Sequence, residues 1–231
     1  MNKSEQALSL IGDDPRLWSR VSPLPPSLPW LQEEIERIVR TVAQVVSDDR
    51  RKAEDSLAGA RDRDDAMRSW YRIAIWVGTA RANRLDRTSG LERVDRSKQD
   101  KKLRAIGKRS LFVRDGYRCR YCGQRVISEE ILVALGSTLS EGGFSARGDD
   151  TSRRGASLVF RAVEDHVVPL SRGGKTVDTN LVTSCYPCNF SKFGFTLDQL
   201  GLDDPRDRPP IVDDWDGLGL MLQALKKRAI A

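Results

Sequence analysis

The sequence is poor in histidine, in cysteine and in long apolar runs. It has one histidine, His166, and four cysteines among 231 residues. Its longest apolar stretch, IAIWVGTA at 73–80, is far shorter than the roughly 20 residues that span a bilayer. The first residues, MNKSEQALSL, contain no sustained apolar region of the kind that a signal peptide needs. These absences predict a cytoplasmic protein without a membrane partner.

The four cysteines fall into two pairs of the same form, CRYC and CYPC. Two C-x-x-C pairs with no cysteine left over favour one tetrahedral metal ion, because disulfides are rare in a reducing compartment. Four thiolates leave no ligand position for water, so a zinc ion bound here is structural. An iron–sulfur cluster uses the same ligands and stays an alternative. The predicted ligands are Cys119, Cys122, Cys185 and Cys188.

Positive charge is concentrated in the middle of the chain. Residues 98–195 contain 17 basic and 10 acidic side chains. Residues 1–97 contain 17 and 16, and residues 196–231 contain 5 and 7. A basic excess confined to one region indicates a polyanionic partner such as nucleic acid, although a solvated surface also explains it.

The region at 1–97 is predicted to be mainly helical. Apolar residues recur at helical spacing from Leu31 to Val46 and again around 64–84, and we expect these two helices to pack as a hairpin. The charged residues between them either extend one helix or form a loop. Four prolines in VSPLPPSLPW at 21–30 predict an extended connector, and the polar stretch at 87–102 predicts a link to the basic module.

Residues 98–195 are predicted to form a small mixed module. LVFRAVEDHVVPL and NLVTSC have the composition of strands, and YPCNFSKF begins a helix. Between the cysteine pairs, residues 136–157 contain five glycines and five serines, which predicts a mobile insertion whose deletion leaves folding intact. The tail at 196–231 is expected to contain a helix.

Four segments in this order, RDGYRCRYCG, DHVVPLSRGG, Asn180-Leu-Val and CYPCNFSK, resemble the HNH endonuclease family in its variant with a four-cysteine zinc frame. The resemblance extends over residues 108–195. It implies an α+β protein in which a ββα-metal module holds one divalent cation against a scissile phosphodiester. The implied activity is metal-dependent hydrolysis of DNA, which is then the expected partner.

The resemblance also implies a role for each residue of the motif. His166 matches the general base, Asp165 a metal ligand, and Asn180 a residue that fixes the hairpin and orients the histidine. Asn189 stands where many members have the last histidine, and with Asp165 it gives an all-oxygen site that favours Mg²⁺ or Mn²⁺. Because adjacent strand residues point to opposite faces, Asp165 and His166 serve one site only where the strand bends or bulges. The candidates for phosphate contacts are Arg172, Lys175 and Lys192.

Two other functions are compatible with the sequence. One is a zinc-stabilised nucleic-acid-binding protein without significant cleavage activity. The other is the nuclease effector subunit of a larger defence assembly, in which the N-terminal helices bind a protein partner or mediate self-association. The fold alone does not decide among these functions.

Overall fold

The computed structural model describes residues 24, 28–85, 108–139, 144, 150 and 152–230. These residues form helices and a two-stranded antiparallel sheet, which confirms the predicted α+β class. None of the helices in these ranges is long and apolar enough to cross a membrane. The predicted connector at 21–30 lies largely outside the described residues, and the predicted link at 87–102 lies wholly outside them.

The described chain runs through an N-terminal group of helices, the mixed module and a C-terminal helix. The helices are α1 (Leu31–Val46), α2 (Arg50–Ala58), α3 (Arg61–Leu85), α4 (Lys108–Arg114), α5 (Glu129–Thr138), α6 (Gly155–Val159), α7 (Tyr186–Lys192), α8 (Leu197–Leu200) and α9 (Leu222–Ile230). The strands are β1 (Ala162–His166) and β2 (Leu181–Cys185). Single turns of 3-10 helix cover Leu170–Arg172, Asp178–Asn180 and Gly219–Met221.

The two long N-terminal helices, α1 and α3, have different main partners. The closest partners of α1 are α2 and α9, whereas α3 lies against α6 and α7. The predicted hairpin of α1 with α3 is therefore wrong. The charged residues between them form a helix of their own, α2, whose first turn is capped by Asp49 accepting a hydrogen bond from the backbone of Lys52 at 3.2 Å.

The largest apolar core is shared by α1, α3, α5, α6 and α9. One side chain from each of these helices is at most 1% exposed: Ile35, Trp70, Leu135, Val159 and Leu225. Full burial of a side chain of this size stabilises the folded state by about 1.5–3 kcal/mol. The helices before residue 98 are therefore held to the module by the same core that stabilises the module.

Several described residues of the insertion that is predicted to be mobile are packed in the core. Leu139 and Phe144 are 4% and 1% exposed, and α6 is buried along its whole length. Only glycine fits at position 155, because a Cβ there would lie 2.3 Å from the backbone oxygen of Asp64 in α3. For these residues the expectation of a mobile, removable insertion is wrong, since they fill the core and contact α3 closely.

The sheet is shorter than the sequence predicts. β1 begins at Ala162 because the preceding Leu158 and Val159 belong to α6. It pairs with β2 in an unbroken antiparallel register from Ala162 opposite Cys185 to His166 opposite Leu181. α7 follows β2 directly, which completes the predicted ββα arrangement.

The C-terminal segment is tied to the loop that carries the first cysteine pair. The Asp213 carboxylate accepts hydrogen bonds from Arg118 at 2.5 Å and from Arg125 at 3.0 Å. The indole of Trp215 donates to the backbone oxygen of Val126 at 3.0 Å. These contacts hold the C-terminal segment to the loop.

The contact between α3 and α7 depends on Gly78, where an added Cβ would lie 2.1 Å from the backbone oxygen of Phe190. Gly78→Ala should separate the two helices and lower the free energy of unfolding in urea by about 1–3 kcal/mol, as overpacking does. Gly59→Ala is the matched control, because the nearest atom to its added Cβ is at 3.6 Å. Equal stability of the two variants would contradict this close packing.

The Asp213 contact should make stability depend on pH. The hydrogen bond from Arg118, joined by that from Arg125, lowers the pKa of Asp213 to about 2. A carboxyl group whose pKa is lowered in the folded state stabilises that state at pH above its unfolded pKa of about 3.9. This contribution is lost as the pH falls towards 2.

Denaturant unfolding should therefore show a smaller loss of stability from about pH 5 to pH 2 for Asp213→Asn than for the parent protein. The exposed neighbour Asp214 provides the control, and Asp214→Asn should follow the parent. A parent-like pH profile for Asp213→Asn would show that the contact of Asp213 with Arg118 and Arg125 contributes nothing to stability.

Candidate metal centre and active site

The first cysteine pair is brought to the second by backbone contacts with β2. Its loop closes through a bridge between Arg118 and Arg125. The backbone nitrogen of Arg120 donates to the oxygen of Thr183 in β2 at 2.8 Å. The nitrogen of Thr183 in turn donates to the buried carboxylate of Asp115 at 2.7 Å. The loop is therefore docked on the strand that leads into the second pair.

The four cysteine sulfur atoms all lie within 4.8 Å of one another. Cys122 Sγ and Cys185 Sγ are 3.9 Å apart, close to the edge of about 3.8 Å that a tetrahedron with metal–sulfur bonds of about 2.3 Å has. This separation is far longer than the roughly 2.05 Å of a disulfide. The cluster of Cys119, Cys122, Cys185 and Cys188 therefore has the ligand number and spacing that tetrahedral zinc needs.

Burial also favours a cation at this cluster. It raises the pKa of the Cys185 thiol well above the usual value. A thiol in such surroundings keeps its proton unless a cation stabilises the thiolate.

The turn between β1 and β2 is fixed by the side chain of Asn180. Its Oδ1 accepts from the backbone nitrogen of Val168 at 2.9 Å, and its Nδ2 donates to the oxygens of Val168 at 3.0 Å and Lys175 at 2.9 Å. Asn180 is buried, so the loss of any of these hydrogen bonds would leave a polar group without water. The turn after His166 is therefore held to the start of β2.

His166 is half-buried at the end of β1. Its Nε2 lies 2.9 Å from the hydroxyl oxygen of Thr176, and the tautomer of the ring decides which atom donates. Thr176 belongs to the turn that Asn180 fixes, so the imidazole is held by the same turn. Sequence reasoning missed Thr176, because no local pattern distinguishes it from other turn residues.

Asp165 points away from His166, to the opposite face of β1. It is 5% exposed, and its carboxylate accepts a hydrogen bond from Tyr121 Oη at 2.6 Å and lies 3.2 Å from Lys192 Nζ. The strand register is unbroken here, so the bulge that would put both side chains on one face does not occur. Tyr121 was also missed by sequence reasoning, although it lies inside the CRYC pair.

Lys192 is not at the surface, where a contact for phosphate would have to be. Its side chain is 0% exposed, so it is not a surface contact for phosphate. The ammonium is drawn inside because it pairs with Asp165 and donates to the backbone oxygen of His166 at 2.7 Å. The other two candidates remain accessible, since Arg172 is half-buried and Lys175 is exposed.

The residues expected to bind a second cation have suitable donor chemistry. Asn189 is half-buried on α7, three residues before Lys192, and positions three apart share one side of a helix. Asp165 therefore faces the side of α7 that carries Asn189. Carboxylate and amide oxygens suit Mg²⁺ or Mn²⁺, and Mg²⁺ commonly completes its shell with water and substrate phosphates.

The carboxylate of Asp165 is nevertheless only partly available to a metal ion. Burial raises the pKa of Asp165, although the charge of Lys192 acts in the opposite direction. Over the part of the chain that the structure describes, the four cysteines are the only set of three or more His, Cys, Asp or Glu side chains close enough to share a metal ion. A cation at Asp165 would thus depend on Asn189, water and substrate for its other ligands.

Comparison with known proteins identifies one family. Residues 161–192, from the residue before β1 to the end of α7, match the family model of the HNH endonucleases. No curated protein and no solved structure matches the chain. The matched segment includes the hairpin, Asn189 and the second cysteine pair, while the first pair joins it through the cluster described above. At residues 161–192 the chain therefore carries the HNH motif of the HNH endonucleases, within an α+β fold that brings four cysteines together.

Proposed function

We propose that the protein is a metal-dependent endonuclease that hydrolyses phosphodiester bonds in DNA. The observation that carries the proposal is the ordered hairpin of the HNH segment, in which Asn180 holds the turn and Thr176 holds the only imidazole of the chain. This hairpin lies inside the segment that matches the HNH endonuclease family model, and three backbone hydrogen bonds of Asn180 fix its turn.

In this proposal His166 is the general base. Its imidazole removes a proton from a water molecule whose oxygen attacks phosphorus, while the bond from phosphorus to the leaving sugar oxygen breaks. An imidazole has an ordinary pKa near neutral pH, which suits proton transfer under physiological conditions. Thr176 keeps the ring in one orientation, because its hydroxyl engages Nε2.

Asp165 and Asn189 are the proposed ligands of a catalytic Mg²⁺ or Mn²⁺. Because the unbroken register puts Asp165 and His166 on opposite faces of β1, this proposal requires the end of the strand to bend when metal and DNA bind. When bound, such a cation stabilises negative charge on the phosphate and on the leaving oxygen. Arg172 and Lys175 flank the turn next to His166 and are the proposed contacts for backbone phosphates. Such contacts place the duplex without reading its sequence.

The four cysteines are proposed to hold a structural zinc ion. All four ligand positions are taken by protein, so this ion supports the fold and has no site for water. A zinc ion bound only in the folded state adds its binding energy to folding. The small hairpin module gains rigidity from it.

Cleavage of supercoiled plasmid by the purified protein tests the proposal. We expect nicking or linearisation with Mg²⁺ or Mn²⁺ and none with EDTA. DNA binding without cleavage under every divalent cation tried would instead support the zinc-stabilised binding protein. Co-purification of a second protein in pull-down experiments would support the alternative in which the chain is the nuclease subunit of a larger assembly.

Substitution of the proposed base should separate chemistry from scaffold. His166→Ala should lower the cleavage rate by about 10²–10⁴-fold, the range for general base catalysis, with zinc content and DNA affinity unchanged. Thr176→Val is the matched variant, because it keeps the imidazole and removes only its hydroxyl partner, so its effect should be smaller. If His166→Ala cuts DNA as fast as the parent, the histidine is not the base.

Loss of one zinc ligand should act on folding instead. The parent should retain about one zinc ion per chain after dialysis against a weak chelator. Cys119→Ser should lose zinc, unfold at lower temperature and lose cleavage activity together, because the binding energy of the metal is also folding energy. His166→Ala serves as the control that keeps its zinc. A Cys119→Ser variant with parent-like thermal stability would refute the structural role.

A further inference from the structure

Lys192 is an unusual residue for the interior of a protein. It is 0% exposed and ranks among the largest fully buried side chains of the described chain. Lysine is almost never fully buried unless its charge is paired. Its Nζ donates to the backbone oxygen of His166 at 2.7 Å and lies 3.2 Å from Oδ2 and 3.5 Å from Oδ1 of Asp165. The ammonium therefore bridges the two adjacent residues of β1 to which the proposed function assigns the chemistry.

The carboxylate of Asp165 is shared rather than free. Tyr121 already donates to Oδ2 at 2.6 Å, and Lys192 contacts both oxygens. An ionised carboxylate offers about four acceptor positions, so a metal ion can still bind. It must then share the carboxylate with a buried positive charge, and like charges at close range in a site of low polarity repel strongly.

We propose that Lys192 competes electrostatically with the catalytic cation at Asp165 and thereby makes metal binding depend on DNA. This inference rests on the proposed function, which assigns Asp165 as a metal ligand. An ammonium and a divalent cation at one carboxylate leave an excess of positive charge. The phosphodiester of bound DNA neutralises that excess. The site is then weak for metal alone and stronger with substrate in place.

The competing explanation is that Lys192 has only a structural role and joins α7 to the end of β1 through its ion pair and hydrogen bond. Both roles predict that its removal lowers stability, since breaking a buried ion pair leaves a carboxylate unpaired. Only electrostatic competition predicts that removal of the charge strengthens metal binding. Metal affinity, measured without DNA and without reference to activity, therefore separates the two.

The first experiment measures Mn²⁺ binding to the full-length, zinc-loaded protein by electron paramagnetic resonance of the free ion. Lys192→Met removes the charge and keeps an unbranched stem, and should bind Mn²⁺ about tenfold or more tightly than the parent, a coupling of the usual size between two sites. Lys192→Arg keeps the charge and should bind no more tightly than the parent. A folded Lys192→Met variant with equal or weaker Mn²⁺ affinity would overturn the proposal.

Asp165→Asn distinguishes failure of this proposal from failure of the proposed function. If Asp165 is a ligand, that variant should lose most of its Mn²⁺ binding. Parent-like Mn²⁺ binding by Asp165→Asn would show that the cation is held elsewhere, which removes the proposed metal site itself. Loss of binding in Asp165→Asn together with unchanged affinity in Lys192→Met would leave the metal site in place and reject only the competition.

A second measurement uses the parent chain and does not depend on whether Lys192→Met folds. Nitrogen-15 NMR of lysine-labelled protein should resolve the Lys192 ammonium, because buried ammonium protons exchange slowly with water. With a cleavage-resistant DNA duplex bound, addition of Mg²⁺ should shift this resonance, and the exposed Lys226 of α9 serves as the control that should not shift. No shift of the Lys192 signal in this complex at Mg²⁺ concentrations that support full cleavage would also overturn the proposal.

The dependence on DNA is tested in a His166→Ala background, where cleavage is slowed by about 10²–10⁴-fold. A DNA duplex should raise the Mn²⁺ affinity by about 5–150-fold, and by linkage Mn²⁺ should raise the DNA affinity by the same factor. The additional change Lys192→Met should reduce this factor, because the DNA phosphates then have less positive charge at the metal site to neutralise. An equal factor with and without Lys192 would contradict the electrostatic basis of the coupling.

Discussion

The closure of the four-cysteine cluster is the constraint on which the module depends. One pair comes from a loop between α4 and α5, and the other spans the end of β2 and the first turns of α7. Bringing distant parts of a chain together costs conformational entropy, which grows slowly with the length of the loop. A bound metal ion offsets that cost at one point. The loop then rests on β2 through Arg120 and Asp115, and Tyr121 reaches Asp165 from the same loop.

The N-terminal helices support the site from the other side of α7. Tyr71 of α3 meets Tyr186 and Phe190 of α7 with ring centroids 6.0 and 5.6 Å apart, and those two rings are themselves 5.4 Å apart. Aromatic pairs in such arrangements contribute about 0.5–1.5 kcal/mol beyond their buried area. Because α7 carries Asn189 and Lys192, the position of α3 bears directly on the proposed metal site. The helices at 31–85 therefore contribute to the site even though they contain none of its proposed ligands.

The sequence was sufficient for features that repeat a local pattern. The spacing of the cysteines predicted their cluster, and the apolar spacing predicted α1 and α3. It was not sufficient for contacts between distant segments. Lys192 is predicted as a surface charge because a lysine at the end of a short helix is usually exposed. Its ammonium is buried because β1 packs against α7 and brings Asp165 to it. Phe144 and α6 were misjudged for the same reason, since glycine and serine around them suggested mobility while α3 provides a tight partner.

Burial also changes the meaning of the basic excess in residues 98–195. Arginines near the first cysteine pair are engaged in internal contacts. Arg118 pairs with Asp213, Arg120 donates to backbone oxygens of the C-terminal segment, and Arg208 of that segment donates to the backbone oxygen of Tyr121. Lys192 is likewise neutralised inside the protein by Asp165. Part of the basic excess is therefore used in contacts within the fold. In the proposed function, the contacts with DNA then fall to accessible charges such as Arg172 and Lys175.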